Sequence, residues 1–73
     1  MTVSDVLKKY DNKDCIIEYR TIASIDSDDV DVFGGMARYI NKMLVSCDGD
    51  DYHLNDEICK YKWYKDNWLV VYR

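Results

Sequence analysis

Proline is absent from this 73-residue sequence, glycine occurs three times, and phenylalanine and histidine once each. With no proline and so little glycine, no stretch reads as a semi-rigid or flexible linker. One domain over residues 1–73 is therefore predicted. Cysteine is scarce as well: Cys15, Cys47 and Cys59 are odd in number and form no CxxC pair, which excludes a disulfide framework and predicts reduced thiols. No basic leader followed by an apolar stretch opens the sequence, so a cytoplasmic protein is expected. No apolar run approaches the roughly 20 residues that cross a bilayer. The protein is expected to be soluble, with no membrane among its partners.

What is present is apolar and aromatic. Hydrophobic residues make up 48% of the chain and aromatics 14%, with seven Tyr and two Trp, too much for a disordered tail despite 33% charged residues. A folded domain of this size has about 4 to 11 kcal/mol of net stability, so one small core is all it can build.

Thr2 reads as an N-cap with Asp5 in capping-box position. Val3, Val6, Leu7 and Tyr10 then form one apolar stripe at helical spacing, with Asp5, Lys8 and Lys9 turned to water. A helix this short must dock on something. From Cys15 to Ile22 a strand is predicted, with Cys15, Ile17 and Tyr19 alternating with Glu18 and Arg20. Asp26, Asp28, Asp29 and Asp31 read as a solvated loop or the mouth of a strand. A second strand should run from about Val30 to Ile40, with Gly34 and Gly35 in its middle marking a bulge or sharp bend.

Asn41 and Lys42 read as a two-residue hairpin loop, so Ile40 opposes Met43, Arg38 opposes Val45 and Met36 opposes Cys47. The predicted inner face is Met36, Ile40, Met43, Val45 and Cys47, with Arg38 as an intruder; a further hairpin pairing Cys47 with Tyr52 adds Leu54. A last hairpin turns at Asp66 and Asn67, setting Lys65 against Trp68, Trp63 against Val70 and Tyr61 against Tyr72. Its inner face would be Tyr61, Trp63, Trp68, Val70 and Tyr72. The other face would carry Lys60, Lys62, Tyr64, Leu69, Val71 and Arg73, with Leu69 and Val71 available to the helix stripe. The predicted fold is α+β, mainly β: a short N-terminal helix plus an antiparallel meander of about five strands curled into a small half-open barrel.

Chemistry is harder to find. Cys15, Cys47, His53 and Cys59 lack the paired two-to-four-residue spacing of a structural zinc site, so buried thiols are the expectation and no metal is assigned. The same register sets His53 and Cys47 on opposite faces, against a nucleophile–base pair. The run Asp26 to Asp31 fails as a calcium loop, having Asp31 where glycine is required and Ala37 where a bidentate Glu is required. Asp48-Gly49-Asp50-Asp51 fails likewise, with Cys59 at its twelfth position. No catalytic residue and no cofactor is assigned, and a non-enzymatic role is expected.

The charge is lopsided. The net charge is −4; residues 1–57 hold thirteen acids against Lys8, Lys9, Lys13, Arg20, Arg38 and Lys42, whereas residues 58–73 hold Lys60, Lys62, Lys65 and Arg73 against Asp66 alone. Twelve of the fourteen acids are Asp, the common turn residue and also one that keeps its charge close to the backbone. Asp26, Asp28, Asp29 and Asp31 are accordingly the candidate acidic partner-binding residues, able in one reading to imitate a nucleic-acid backbone. Lys60, Lys62, Tyr64 and Arg73 are the candidate basic and apolar face, where Tyr64 beside lysines suits stacking.

The run Asp48-Gly49-Asp50-Asp51-Tyr52-His53-Leu54-Asn55-Asp56-Glu57-Ile58, with the ending Trp63…Trp68-Leu69-Val70-Val71, resembles short uncharacterised accessory proteins of bacterial prophages and other mobile elements. The resemblance covers roughly the last third of the chain and implies a short, acidic, non-enzymatic protein, with inhibitors of host defence among such proteins; it assigns no residue. A protein-binding module is thus expected, with an acidic nucleic-acid mimic that inhibits a host nuclease or defence system as the alternative and a small nucleic-acid-binding barrel third. A protein partner is favoured over nucleic acid, and self-association is left open.

Overall fold

Thr2 starts the helix as its side chain dictates. The Asp5 amide donates to Thr2 Oγ1 at 3.2 Å and the Thr2 amide donates to Asp5 Oδ2 at 2.9 Å, a complete capping box. The computed structural model describes all of Met1–Arg73, with α1 (Val3–Lys9), β1 (Cys15–Ile25), β2 (Asp28–Ile40), β3 (Met43–Ser46), β4 (Lys60–Lys65) and β5 (Trp68–Tyr72). Val3, Val6 and Leu7 are buried, as the stripe requires. No helix is long and apolar enough to cross a membrane.

The five strands form one mixed sheet in the order β3-β2-β1-β5-β4. The expected meander is corrected at its centre: β1 pairs antiparallel with β2 but parallel with β5, from Ile16 beside Trp68 to Arg20 beside Tyr72. A strand buried on both faces belongs in the middle of a sheet, and β1 buries Cys15, Ile17 and Tyr19 on one side and Glu18 on the other. The sheet stays open, with β3 and β4 as free edges, rather than closing into a barrel.

One face is covered by α1 and by residues 47–59, which run across it without forming the expected strand. Backbone bonds tie that segment to the helix start: Ser4 N–H to Leu54 O at 2.8 Å, Val3 N–H to Asp56 O at 3.1 Å and Ile58 N–H to Met1 O at 2.8 Å. Beneath lie Ile17, Tyr19, Ala37, Tyr39, Leu69 and Val71, joined by Tyr52 and Ile58. Instead of pairing with Cys47, Tyr52 stacks flat on Tyr19, ring centroids 4.3 Å apart.

The Asn41-Lys42 hairpin has the expected register, Ile40 against Met43 and Arg38 against Val45; both loop residues have positive φ. Its faces are the reverse of those expected: Ala37 and Tyr39 are buried, while Ile40, Met43, Val45 and Cys47 are exposed. Arg38 would have been a charge without a partner in the core, and desolvating it outweighs leaving smaller apolar groups in water. The Gly34-Gly35 bulge forms where expected, with Tyr19 opposite Gly35 and Arg20 opposite Phe33. In the last hairpin Lys65 opposes Trp68, but an unanticipated bulge at Tyr64 then sets Trp63 against Leu69 and Tyr61 against Val71. Leu69 and Val71 therefore turn inward beneath the helix, and Trp68, Val70 and Tyr72 turn to the open face with Lys60 and Lys62.

Asp48 organises the turn after β3. Tyr52 Oη (2.8 Å), Asp50 N–H (3.1 Å), Met36 N–H (3.2 Å) and Ser46 Oγ (3.1 Å) all donate to its carboxylate, and these bonds, that from Tyr52 foremost, hold its pKa down to about 2. A group depressed on folding stabilises the native state above its unfolded value, near 4, and loses that contribution as pH falls through its folded value. Near-ultraviolet circular dichroism of the tyrosines should therefore show this turn loosening between about pH 4 and 2. The step should be missing from Asp48→Asn; an identical acid transition in the variant would remove Asp48 from this role.

Candidate functional site

Two surfaces remain uncovered, and they meet at Asp31. The first is the open face of the sheet. Over β1, β5 and β4 it forms a groove of about 500 Å³ lined by Glu18, Arg20, Asp31, Lys62, Tyr64, Lys65, Trp68 and Val70. Glu18 is buried in its floor and accepts a charge-assisted hydrogen bond from Arg20 Nε. Two residues apart on one strand, these side chains share a face, and a buried carboxylate requires such a partner. Asp31 on the wall accepts from Tyr72 Oη at 3.1 Å. Lys60 and Lys62 lie with their Nζ atoms 4.7 and 5.9 Å from the Tyr72 ring centroid, and Lys65 lies 5.6 Å from that of Tyr64. Tyr64, exposed on its bulge, meets Trp68 edge to face at 5.4 Å.

The expected basic and apolar set is thus mostly brought together: Lys60, Lys62 and Tyr64 share this face. Arg73 is not with them. Its guanidinium lies 4.6 Å from the Tyr19 ring and 5.3 Å from that of Tyr52 on the covered side, because the bulge at Tyr64 reverses which side each late residue faces. Sequence reasoning missed Glu18, Arg20, Lys65, Trp68 and Val70 as lining residues. Glu18 and Arg20 were legible as a wet face; their meeting with Trp68 and Val70 depends on a parallel pairing between strands far apart in the chain.

The second surface is an arm. Beyond the Gly34 bulge, β1 and β2 continue as a two-stranded ribbon to a turn at Asp26 and Ser27, both of positive φ. Of the two readings of the Asp cluster, the mouth of a strand holds and the loop does not: Asp26 is in the turn, and Asp28, Asp29 and Asp31 lie in β2. Ser24 Oγ donates to Asp29 Oδ1 at 2.9 Å across the ribbon. The arm leaves five large apolar residues in water, Ile22, Ile25, Val30, Val32 and Phe33, with Ile25 56% and Phe33 57% exposed. It makes the molecule elongated, 42 × 26 × 21 Å, with a radius of gyration of 12.3 Å against about 11 Å for a compact chain of this length.

The thiols divide. Cys15 is buried, its pKa pushed up to about 11 by desolvation, whereas Cys47 and Cys59 are exposed, contrary to the expectation that all three are buried. No three His, Cys, Asp or Glu side chains converge in a metal-holding geometry. The groove sets lysine cations beside flat rings over a buried ion pair. Compared with known protein families, curated proteins and solved structures, the chain matches none.

Proposed function

We propose that this protein is a non-enzymatic protein-binding module that engages its partner through the β1–β2 arm. The observation that carries this reading is the arm itself: thirteen-residue β2 and eleven-residue β1 extend well past their neighbours and hold Ile22, Ile25, Val30, Val32 and Phe33 in solvent. Isolated two-stranded ribbons are marginal in water, and apolar surface left exposed marks an interaction site. Asp26, Asp28 and Asp29 at the tip suit a partner whose groove is apolar within and basic at its rim. The resemblance to mobile-element accessory proteins supports a host protein as that partner.

Capture from a lysate of the source organism, at low and high salt, tests the assignment. Phe33→Ser with Ile25→Ser should abolish capture while leaving the melt of the domain little changed, since both side chains are more than half exposed. Converting Asp26, Asp28, Asp29 and Asp31 to Asn should leave the fold as stable or slightly more so and weaken capture most at low salt. Capture that depends on the carboxylates alone, collapses in salt and is competed by DNA would instead identify the acidic mimic. Retention of nucleic acid by the chain itself, lost in Lys62→Glu and Tyr64→Ala, would identify the nucleic-acid binder; its supporting observation is that Trp68 and Tyr72 share a face with Lys60 and Lys62.

A further inference from the structure

The sheet ends on two edge strands, β3 and β4, and only β4 is blunted. An edge strand offers unpaired N–H and C=O groups to any passing strand, and natural edges are blunted by lysine, proline or a bulge. Edge β4 carries Lys60, Lys62 and Lys65 and is bulged at Tyr64. In the arm the β2 flank carries Asp28, Asp29 and Asp31 and the tip carries Asp26, which would repel the same arm of another copy. Edge β3, Met43-Leu44-Val45-Ser46, has no charge, no proline and no bulge. It is also the edge beside which the open face is most apolar, with Met43 65% and Val45 50% exposed and Ile40 next to them.

We infer that β3 is a self-association edge that pairs antiparallel with β3 of a second copy, joining the two sheets across a two-fold axis. The register follows from the hairpin. Ile40 and Met43 close a two-residue loop, so Met43 and Val45 bond back to β2 while Leu44 and Ser46 direct their N–H and C=O groups outward. Cys47 N–H bonding Met36 O at 3.1 Å keeps the same alternation. Outward residues must face outward residues, and pairing Leu44 with Ser46 of the second copy satisfies both strands with Val45 on the axis. Charge selects this register and direction. Lys42 stands at one end of β3 and the loop of Asp48, Asp50 and Asp51 at the other, so antiparallel pairing brings each Lys42 to the acidic loop of the other copy. Parallel pairing would set like charges together. An antiparallel pair is isologous and closes at two copies. Four residues a side make a small interface, of the class below about 1,200 Å² that associates reversibly.

Sedimentation velocity of the full chain over a concentration series, to the millimolar range, should show a reversible monomer–dimer equilibrium. Val45→Lys places two like charges across the axis and should weaken the dimer by about tenfold or more, with an unchanged melt because the side chain is half exposed. In a Cys47→Ser, Cys59→Ser background, Val45→Cys should form an intermolecular disulfide on mild oxidation, since a non-hydrogen-bonded antiparallel pair holds Cα atoms about 4.5 Å apart, within disulfide range. Leu44→Cys in the same background should stay unlinked. A chain monomeric throughout the series overturns the inference. So does a dimer indifferent to Val45→Lys, or one that Val45→Cys fails to cross-link.

Discussion

Leu69→Ala should unfold the domain or leave it barely folded in a urea melt. Leu69 has no exposed surface and packs in the core shared by α1, Ile17 and Val71. Removing such a side chain costs about 2 to 5 kcal/mol, against a total of about 4 to 11 kcal/mol for a chain of this length. The same melt should find Lys62→Glu within about 0.5 kcal/mol of the parent, since Lys62 is exposed and bears no ion pair. Trp63→Ala should be costly as well, because the ring packs against the core, meets Tyr10 edge to face at 5.0 Å and carries Lys13 Nζ at 4.3 Å. The informative comparison is between neighbours. The bulge at Tyr64 puts Leu69 inside and Trp68 on the open face; a plain hairpin turning at Asp66 and Asn67 puts Trp68 inside. Trp68→Ala proving costlier than Leu69→Ala would restore the unbulged register and exchange every inside and outside assignment in β5.

That comparison also marks where the sequence stops being legible. Local chemistry could be read: Thr2 and Asp5 cap a helix, Asn41-Lys42 closes a hairpin, Asp66-Asn67 another, and Gly34-Gly35 bends a strand. Each is decided by residues within a few positions of one another, and each appears in the structure. Which face of a hairpin is inside is decided elsewhere. Met36, Ile40, Met43 and Val45 look more apolar than Ala37, Tyr39 and Leu44, yet the helix and residues 47–59 land on the latter because Ile17 and Tyr19 of β1 continue the same surface. The parallel pairing of β1 with β5 joins strands about fifty residues apart, and nothing in either announces it. The bulge at Tyr64 has no glycine to signal it. For the candidate sites the consequence is uneven. The Asp cluster is legible as exposed but not as the end of a long apolar arm, and Lys60, Lys62 and Tyr64 share one face whereas the bulge at Tyr64 leaves Arg73 on the other.

Gly35→Ala should be the most damaging small substitution in the chain. Gly35 has φ of +139°, a conformation that residues with a Cβ rarely adopt, at the bulge opposite Tyr19. An added Cβ would fall on Tyr52 Oη, with Asp48 Oδ2 at 2.7 Å and Tyr52 Cζ at 2.9 Å. Tyr52 cannot simply swing away, because its ring is stacked on Tyr19 and its hydroxyl donates to Asp48. Backbone strain and overpacking each cost about 1 to 3 kcal/mol, so their sum removes a large share of the stability. Gly49→Ala provides the control: its φ of +86° is also unfavourable, but nothing lies within 4 Å of the new Cβ, and only the backbone cost of about 1 kcal/mol should appear. Adding Tyr52→Phe removes the hydroxyl on which the Gly35→Ala methyl falls, so the two changes should couple favourably by about 1 kcal/mol or more in a double-mutant cycle. Equal costs for Gly35→Ala and Gly49→Ala, with no coupling to Tyr52→Phe, would mean that Tyr52 does not pack over this bulge. The covered face would then lose the contact that ties residues 47–59 to the centre of the sheet.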